Sequence, residues 1–67
     1  MVNWEKFKEL QQETRQLQAD GLLDAVAFET MLTRAINEAN AGRFVEGFIK
    51  FAPPEWIAQN VRLLLES

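Results

Sequence analysis

The chain has 67 residues, of which 48% are hydrophobic, and seven basic against ten acidic residues give it a formal net charge of −3. A chain this short buries only about 60% of the surface of its unfolded form, so we expect one domain, residues 1–67, with a small core. It contains no Cys and no His, which excludes disulfides, thiolate metal sites and the commonest general base.

The charge and hydropathy patterns indicate which partners are disfavoured and in which cellular compartment we expect the protein. A net negative charge disfavours the phosphate backbone of a nucleic acid. The longest apolar stretches fall far below the roughly 18 residues that cross a bilayer. The segment MVNWEKFKEL carries charges where a signal peptide has its apolar part. We therefore expect a cytoplasmic protein without a membrane span.

The first predicted helix covers residues 3–19. Asn3 is its expected N-cap, because the side-chain carbonyl can accept a hydrogen bond from the first turn. One narrow apolar stripe runs along it and consists of Trp4, Phe7, Leu10, Thr14 and Leu17. Two heptads are too few for a coiled coil, so we expect this helix to pack on the second and fourth. Gly21 lies past its end and can take the left-handed conformation.

The second predicted helix begins after Asp24, its expected N-cap, with Leu22 and Leu23 folding back as a hydrophobic staple. Its core face is expected to contain Ala25, Phe28, Leu32, Ala35, Ile36 and Ala39, with Met31 at the margin. The small alanines on this face allow another helix to approach closely. The sequence NAG at 40–42 is expected to end the helix.

The third predicted helix is short, residues 43–52, with a wide apolar face. Gly47 in its interior lowers the stability of the helix by roughly 1 kcal/mol relative to Ala. Either the missing side chain permits close packing or the helix is weak there. Pro53 ends the helix, because a residue that precedes proline avoids the helical region.

The fourth predicted helix starts at Pro54, since a first helical residue needs no N–H. Its stripe is expected to contain Ile57, Val61, Leu64 and Leu65. Trp56 and Leu63 fall on one flank of that stripe, and Ala58 on the other widens the apolar arc to roughly 220°, where a single packing contact uses about 100°. Either this helix lies centrally, or Trp56 and Leu63 face a partner.

The stretch GLLDAVAFE, residues 21–29, resembles the short helix–turn–helix of small bacterial oligomerisation modules of the SHOCT-like kind. The shared features are a Gly, two aliphatic residues, a capping residue and a later Phe. The likeness covers nine residues, and the acidic first turn usual after the cap is replaced here by AVA. It assigns no functional residue to this chain.

The composition offers little for catalysis or for cofactor binding. The only Ser is Ser67, at the C-terminus, and Ser-based nucleophilic catalysis needs a positioned hydroxyl with a base. Glu5, Glu9 and Glu13 are spaced for carboxylate pairs, but on a solvated helix face. Oxygen ligands are not spaced as in a calcium loop. We expect no enzyme activity, no metal site, no cofactor and no small-molecule substrate.

The fold predicted from these elements is all-α, a small antiparallel bundle of four helices, the third short, joined by tight Gly/Pro turns. The core is expected to contain Phe7, Leu10, Leu17, Phe28, Leu32, Ile36, Phe44, Phe48, Ile57, Val61 and Leu64.

The leading functional hypothesis is a non-catalytic protein-interaction module, a small regulator or adaptor, which binds a protein partner or itself as a homodimer through the fourth helix. The candidate contact residues are Trp56 and Leu63, and then Trp4 at the margin of its stripe. The first alternative is a nucleic-acid-associated regulator that acts through a weak basic surface of Arg34, Arg43, Lys50 and Arg62. The second is membrane-surface binding by the aromatic, amphipathic residues 43–56.

Overall fold

Helices account for the regular structure of the chain. The computed structural model describes residues 1–66, except for the side chains of Arg43, Leu63 and Leu64. In this part of the chain the elements are α1 (Trp4–Ala19), α2 (Ala25–Asn37), a 3-10 helix (Gly42–Phe51) and α3 (Pro54–Glu66). The protein is 78% helical, and residues 1–66 contain no strand. The predicted all-α class with four helices is confirmed.

The starts of α1 and α2 follow from the capping residues in the sequence. Asn3 Oδ1 accepts a hydrogen bond from the Lys6 N–H at 3.1 Å, and Asp24 Oδ1 accepts one from the Ala27 N–H at 2.8 Å. Each bond satisfies an N–H that has no partner within its helix. Both predicted N-caps are therefore confirmed.

The end of α2 lies earlier than the sequence predicts. The helix ends at Asn37, and Asn40 has a left-handed φ of 56°. Ala39 and Ala41 are buried in the reversal that follows, and the N–H of Asn3 donates to the Ala39 carbonyl at 2.8 Å. Small residues are needed here because the start of α1 closes over this turn.

The third element is a 3-10 helix and not the predicted α-helix. Its repeat of three residues per turn places Val45, Phe48 and Phe51 on one side, where Phe48 and Phe51 are 0% and 4% exposed. Phe44 lies on another side and is 50% exposed. The predicted core position of Phe44 is therefore wrong, because it assumed α-helical periodicity.

Aromatic rings and small residues dominate the core. Its buried apolar members are Phe7, Leu10, Phe28, Met31, Ala35, Ala39, Ala41, Phe48, Phe51 and Trp56. Leu17 and Leu32 are partly buried against this cluster. The side chain of Leu64, also predicted for the core, lies outside the described residues.

Three further core predictions are wrong because helices α2 and α3 are rotated about their axes relative to the expected orientation. Ile36, Ile57 and Val61 are 43%, 40% and 45% exposed. In α2 the inward line is Phe28, Met31 and Ala35. A line through Leu32 and Ile36 has the same periodicity and lies about 100° away around the helix axis.

Helix α2 is the central element. It contacts α1, the 3-10 helix and α3, whereas α1 contacts α2 and the 3-10 helix and, in the described part of the chain, not α3. The expected packing of the first helix on the fourth is thus not seen. The radius of gyration is 11.5 Å, close to the roughly 11 Å of a compact chain of this length. None of the helices described here is both long and apolar enough to span a membrane.

Candidate interaction surface

The turn at Pro53 and Pro54 sets the orientation of α3. The Pro53 carbonyl accepts hydrogen bonds from the N–H groups of Trp56 and Ile57, both at 3.1 Å, and Pro54 is the first residue of the helix. Proline fixes φ near −65°, so two prolines in sequence leave this turn little freedom. The first turn of α3 is held in one rotational position relative to the buried Pro53.

The indole of Trp56 faces inward. It is 6% exposed and lies edge-on against Phe28 of α2, with ring centroids 4.9 Å apart. The sequence left open whether Trp56, a candidate contact residue, lies in the core or faces a partner; in this structure it lies in the core. The rotation of α3 that buries the indole covers more apolar area than one that would bury the smaller Ile57.

Helix α3 departs from regular geometry at Asn60. This residue has φ −120° and ψ 17°, and its side-chain Nδ2 donates to the Trp56 carbonyl at 2.9 Å. Side-chain bonds of this kind compete with the helical ladder and bend the helix. The second half of α3 therefore follows a different axis from the turn that is anchored by Trp56.

The outer face of α3 carries a row of exposed aliphatic side chains, here named the α3 stripe: Ile57, Val61 and Leu65. They are 40%, 45% and 81% exposed. Ile57 lies before the irregular Asn60, and Val61 and Leu65 lie after it. The spacing of four residues places Val61 and Leu65 about 40° apart around the axis of the second half of α3. Ala58, also exposed, extends the apolar face. The side chain of Leu63, a predicted contact residue, lies outside the described residues.

Trp4, the third predicted contact residue, belongs to a different surface. Its indole is 50% exposed and makes edge contacts with Phe7 at 5.6 Å and Phe44 at 5.4 Å between centroids. Trp4 is on α1 and Trp56 packs on α2. The structure therefore does not bring these two predicted residues into one site.

A network of charged side chains joins α1 to α2. Arg34 Nε donates to Glu38 Oε2 at 2.7 Å, its Nη1 lies 3.3 Å from Glu13 Oε2, and Lys6 Nζ lies 3.5 Å from Glu38 Oε1. The hydrogen bond from Arg34 is the main cause that lowers the pKa of Glu38 below its ordinary value. The same bond raises the pKa of Arg34.

The basic residues of the nucleic-acid hypothesis are dispersed rather than gathered. Arg34 is engaged by two carboxylates, and Lys50 Nζ lies 5.2 Å from the centre of the Phe51 ring. Arg62 is exposed on α3, and the side chain of Arg43 lies outside the described residues. Of the residues in the membrane hypothesis, Phe44 lies on an exposed aromatic surface, which it forms together with Trp4.

Two concave surfaces remain among the described residues. One, of about 230 Å³, lies between the end of α1 and the Pro53–Pro54 turn, and Gln18 is the one polar side chain among the residues that line it: Gln18, Gly21, Leu23, Phe51, Ala52, Pro53 and Pro54. The other lies on the outer side of α2. An open groove of about 310 Å³ is lined by Val26, Glu29, Thr30, Thr33 and Arg34. All five residues come from one helix, so polar groups do not converge on it from several elements as they do in ligand sites. Within residues 1–66 no cluster of three or more His, Cys, Asp or Glu side chains is placed to hold a metal ion.

The sequence predicted a wide apolar arc on α3, but not which of its described residues are exposed. The residues missed as candidates are Ile57, Val61 and Leu65, because an i, i+4 aliphatic row is the usual sign of a core face. The sequence signal that could have indicated the rotation is Trp56 in the first turn after a rigid Pro-Pro step.

The sequence matches no protein-family model, and comparisons with curated proteins and with solved structures found no similar protein.

Proposed function

We propose that this protein is a non-catalytic interaction module that forms a homodimer through the α3 stripe. The observation that carries the proposal is the row of Ile57, Val61 and Leu65, which leaves 40% to 81% of each side chain in water. Removing apolar area from water is the main driving force of association. Exposed apolar residues grouped on one helix also make a better contact than the same residues scattered over the surface.

The stripe is suited to pairing with itself. An isologous dimer brings the same patch of both copies together around a two-fold axis. An axis near Val61 would place antiparallel α3 helices in contact, with Ile57 of one copy near Leu65 of the other. The side chains of the stripe are uncharged, so the stripe itself brings no charged groups into the contact.

The size of the chain supports a second copy as the partner. A core of about this size supplies roughly 3–5 kcal/mol, and small domains without disulfides or metals commonly gain stability by oligomerisation. The chain has no Cys to form a disulfide, and no Cys or His to bind a structural metal ion.

The proposal includes an arrangement of the helices within one copy. We infer that consecutive helices run approximately antiparallel and that tight turns at Gly21, Gly42 and Pro53–Pro54 produce this arrangement. The connections between elements are short, residues 20–24, 38–41 and 52–53, and short connections favour antiparallel neighbours. Because α3 contacts α2 alone among the described helices, its other side is available to a second copy.

Sedimentation velocity over a dilution series tests the proposal. We expect the wild type to sediment as a dimer that dissociates on dilution, and Val61→Glu to sediment as a folded monomer. Val26→Glu is the matched control, because Val26 is 74% exposed on α2 and receives the same substitution outside the stripe. We expect it to dimerise like the wild type.

Two results would contradict self-association through α3. One is a wild type that stays monomeric at the highest soluble concentration. The other is an equal loss of dimer in both variants, which would indicate a general effect of added charge. Far-UV circular dichroism of each variant shows whether the monomer remains folded.

A further inference from the structure

The 3-10 helix is unusually long. It runs for ten residues, Gly42–Phe51, whereas runs beyond three or four residues are uncommon because the hydrogen-bond geometry is poorer than in an α-helix. Tight bonds mark both ends: the Phe44 N–H donates to the Ala41 carbonyl at 2.9 Å, and the Ala52 N–H donates to Ile49 at 3.0 Å. A long 3-10 stretch is a feature of hinges and of sequences under strain.

The apolar residues of the segment would share one face in an α-helix, but they do not all share one face in the observed 3-10 helix. At 100° per residue, Phe44, Phe48 and Phe51 would lie within about 60° of one another. At 120° per residue, Phe44 lies a third of a turn from the other two rings. The observed consequence is that Phe44 is 50% exposed while Phe48 is fully buried.

Contacts with α1 hold the segment at Gly47. Gln11 Nε2 donates to the Gly47 carbonyl at 3.3 Å. A Cβ atom added at Gly47 would lie 3.1 Å from Gln11 Nε2 and 3.2 Å from Phe7 Cζ. The missing side chain therefore permits the close approach, and it also makes the segment a poor α-helix former.

We propose that residues 42–51 are a two-state segment, which is a 3-10 helix while Gly47 rests on α1 and becomes an α-helix when that contact opens. The change in rise from about 2.0 to 1.5 Å per residue shortens the segment by roughly 5 Å. The segment connects α2 to the Pro53–Pro54 turn, so its conversion pulls α3 along α2 and disturbs the contact of Trp56 with Phe28. This inference does not depend on dimerisation.

Solution NMR of the wild type below its association concentration gives the first test. We expect αN(i, i+2) NOEs through residues 43–51, and relaxation dispersion confined to residues 42–52 and the first turn of α3. The expected minor state has a population of about 1% and exchanges on the μs–ms timescale. Its fitted ¹³Cα shifts should be those of an α-helix.

Substitution at Gly47 gives the second test. Gly47→Ala adds a Cβ that would lie 3.2 Å from Phe7 Cζ, so the contact with α1 must loosen by a few tenths of an ångström. It also raises α-helical propensity. We therefore expect αN(i, i+4) NOEs to replace the (i, i+2) set and the Trp56 indole resonance to shift. Glu46→Ala is the matched control, because it lies in the same segment with an exposed side chain. It should keep the wild-type pattern.

The proposal is overturned if folded Gly47→Ala retains the (i, i+2) pattern, or if both variants change alike. Should Gly47→Ala fail to fold, the dispersion experiment on the wild type decides. A flat profile across residues 42–52, or a minor state with unfolded shifts, would then show that the segment has a single folded form.

Discussion

Trp56 and Phe28 meet edge to face, with centroids 4.9 Å apart and an angle of 68° between their planes. Phe28 is fully buried and Trp56 nearly so. This contact anchors the first turn of α3 to the central helix and turns Ile57 away from the core. The orientation of the proposed contact surface at Ile57 thus follows from one aromatic pair, and its continuation to Val61 passes the irregular Asn60.

Shortening a side chain on the buried side of α3 should lower the free energy of unfolding far more than shortening one on the exposed side. We expect Trp56→Ala to lower the free energy of unfolding by about 3–5 kcal/mol, since it opens a large cavity. That is comparable to the whole stability of so small a core, and the variant should be largely unfolded at 25 °C. Val61→Ala, at a half-exposed position, should cost below about 1 kcal/mol in a monomeric sample.

Urea denaturation followed by circular dichroism measures both variants of α3. Equal losses of stability in the two would contradict the rotation of α3 described here, as would a Trp56→Ala variant that unfolds at the wild-type urea concentration.

The parts of the fold that were predictable rest on local chemistry. The side chains of Asn3 and Asp24 cap their helices as expected, because a cap acts within three residues of itself. Pro54 begins α3 for a similar reason. Such signals need no knowledge of the rest of the molecule.

The faces that pack were harder to predict, because two apolar lines compete on the same helix. In α2 the line through Met31 and Ala35 and the line through Leu32 and Ile36 have equal periodicity. The small Ala35 faces inward and is fully buried, where neighbouring elements can approach closely. Which of the two lines faces the core depends on the shapes of the other helices, so it cannot be predicted from the periodicity of α2 alone.

The 3-10 geometry and the exposed stripe depend on contacts between residues distant in sequence. Gly47 meets Gln11, which lies 36 positions earlier, and Ile57 of the α3 stripe is exposed because Trp56 meets Phe28. The sequence predicted a surplus of apolar area on α3, but its location required the structure.

Thr14 is a polar residue in the centre of the core. It is fully buried, and its Oγ1 donates to the Leu10 carbonyl of its own helix at 2.7 Å. That carbonyl can still accept the backbone N–H of residue 14 when the hydroxyl is removed. We therefore expect Thr14→Val to leave the stability unchanged or to raise it by up to about 1 kcal/mol.

Thr14→Ala is the matched comparison, since it removes the hydroxyl and also the methyl group. We expect a loss of about 1–2 kcal/mol from the empty space. Thermal unfolding of both variants checks the pair. A Val variant as unstable as the Ala variant would show that the hydroxyl makes a stabilising bond.

Gly21 follows α1 with a left-handed φ of 73°. A Cβ atom there would meet nothing within 4 Å, so the cost of a side chain would come only from the strain of the left-handed backbone and not from a steric clash with other residues. We expect Gly21→Ala to cost about 1 kcal/mol. Gly21→Asn should cost less, because Asn tolerates this conformation. Equal unfolding midpoints for the wild type and both variants would contradict the left-handed geometry.

The pair of Arg34 and Glu38 predicts a specific dependence of stability on pH. The hydrogen bond from Arg34 is the main cause of the lowered pKa of Glu38 in the folded protein. The folded state therefore binds this proton more weakly than the unfolded state, and the resulting stability is present above the ordinary pKa and lost as the pH falls through the lowered one. We expect Glu38→Gln to have a lower urea midpoint than the wild type at pH 7, and the difference to shrink and vanish as the pH falls through the lowered pKa of Glu38. Glu29→Gln, at an exposed position of α2, controls for the loss of one carboxylate. A difference between wild type and Glu38→Gln that persists at the acid end would show that Glu38 acts through packing and not through its charge.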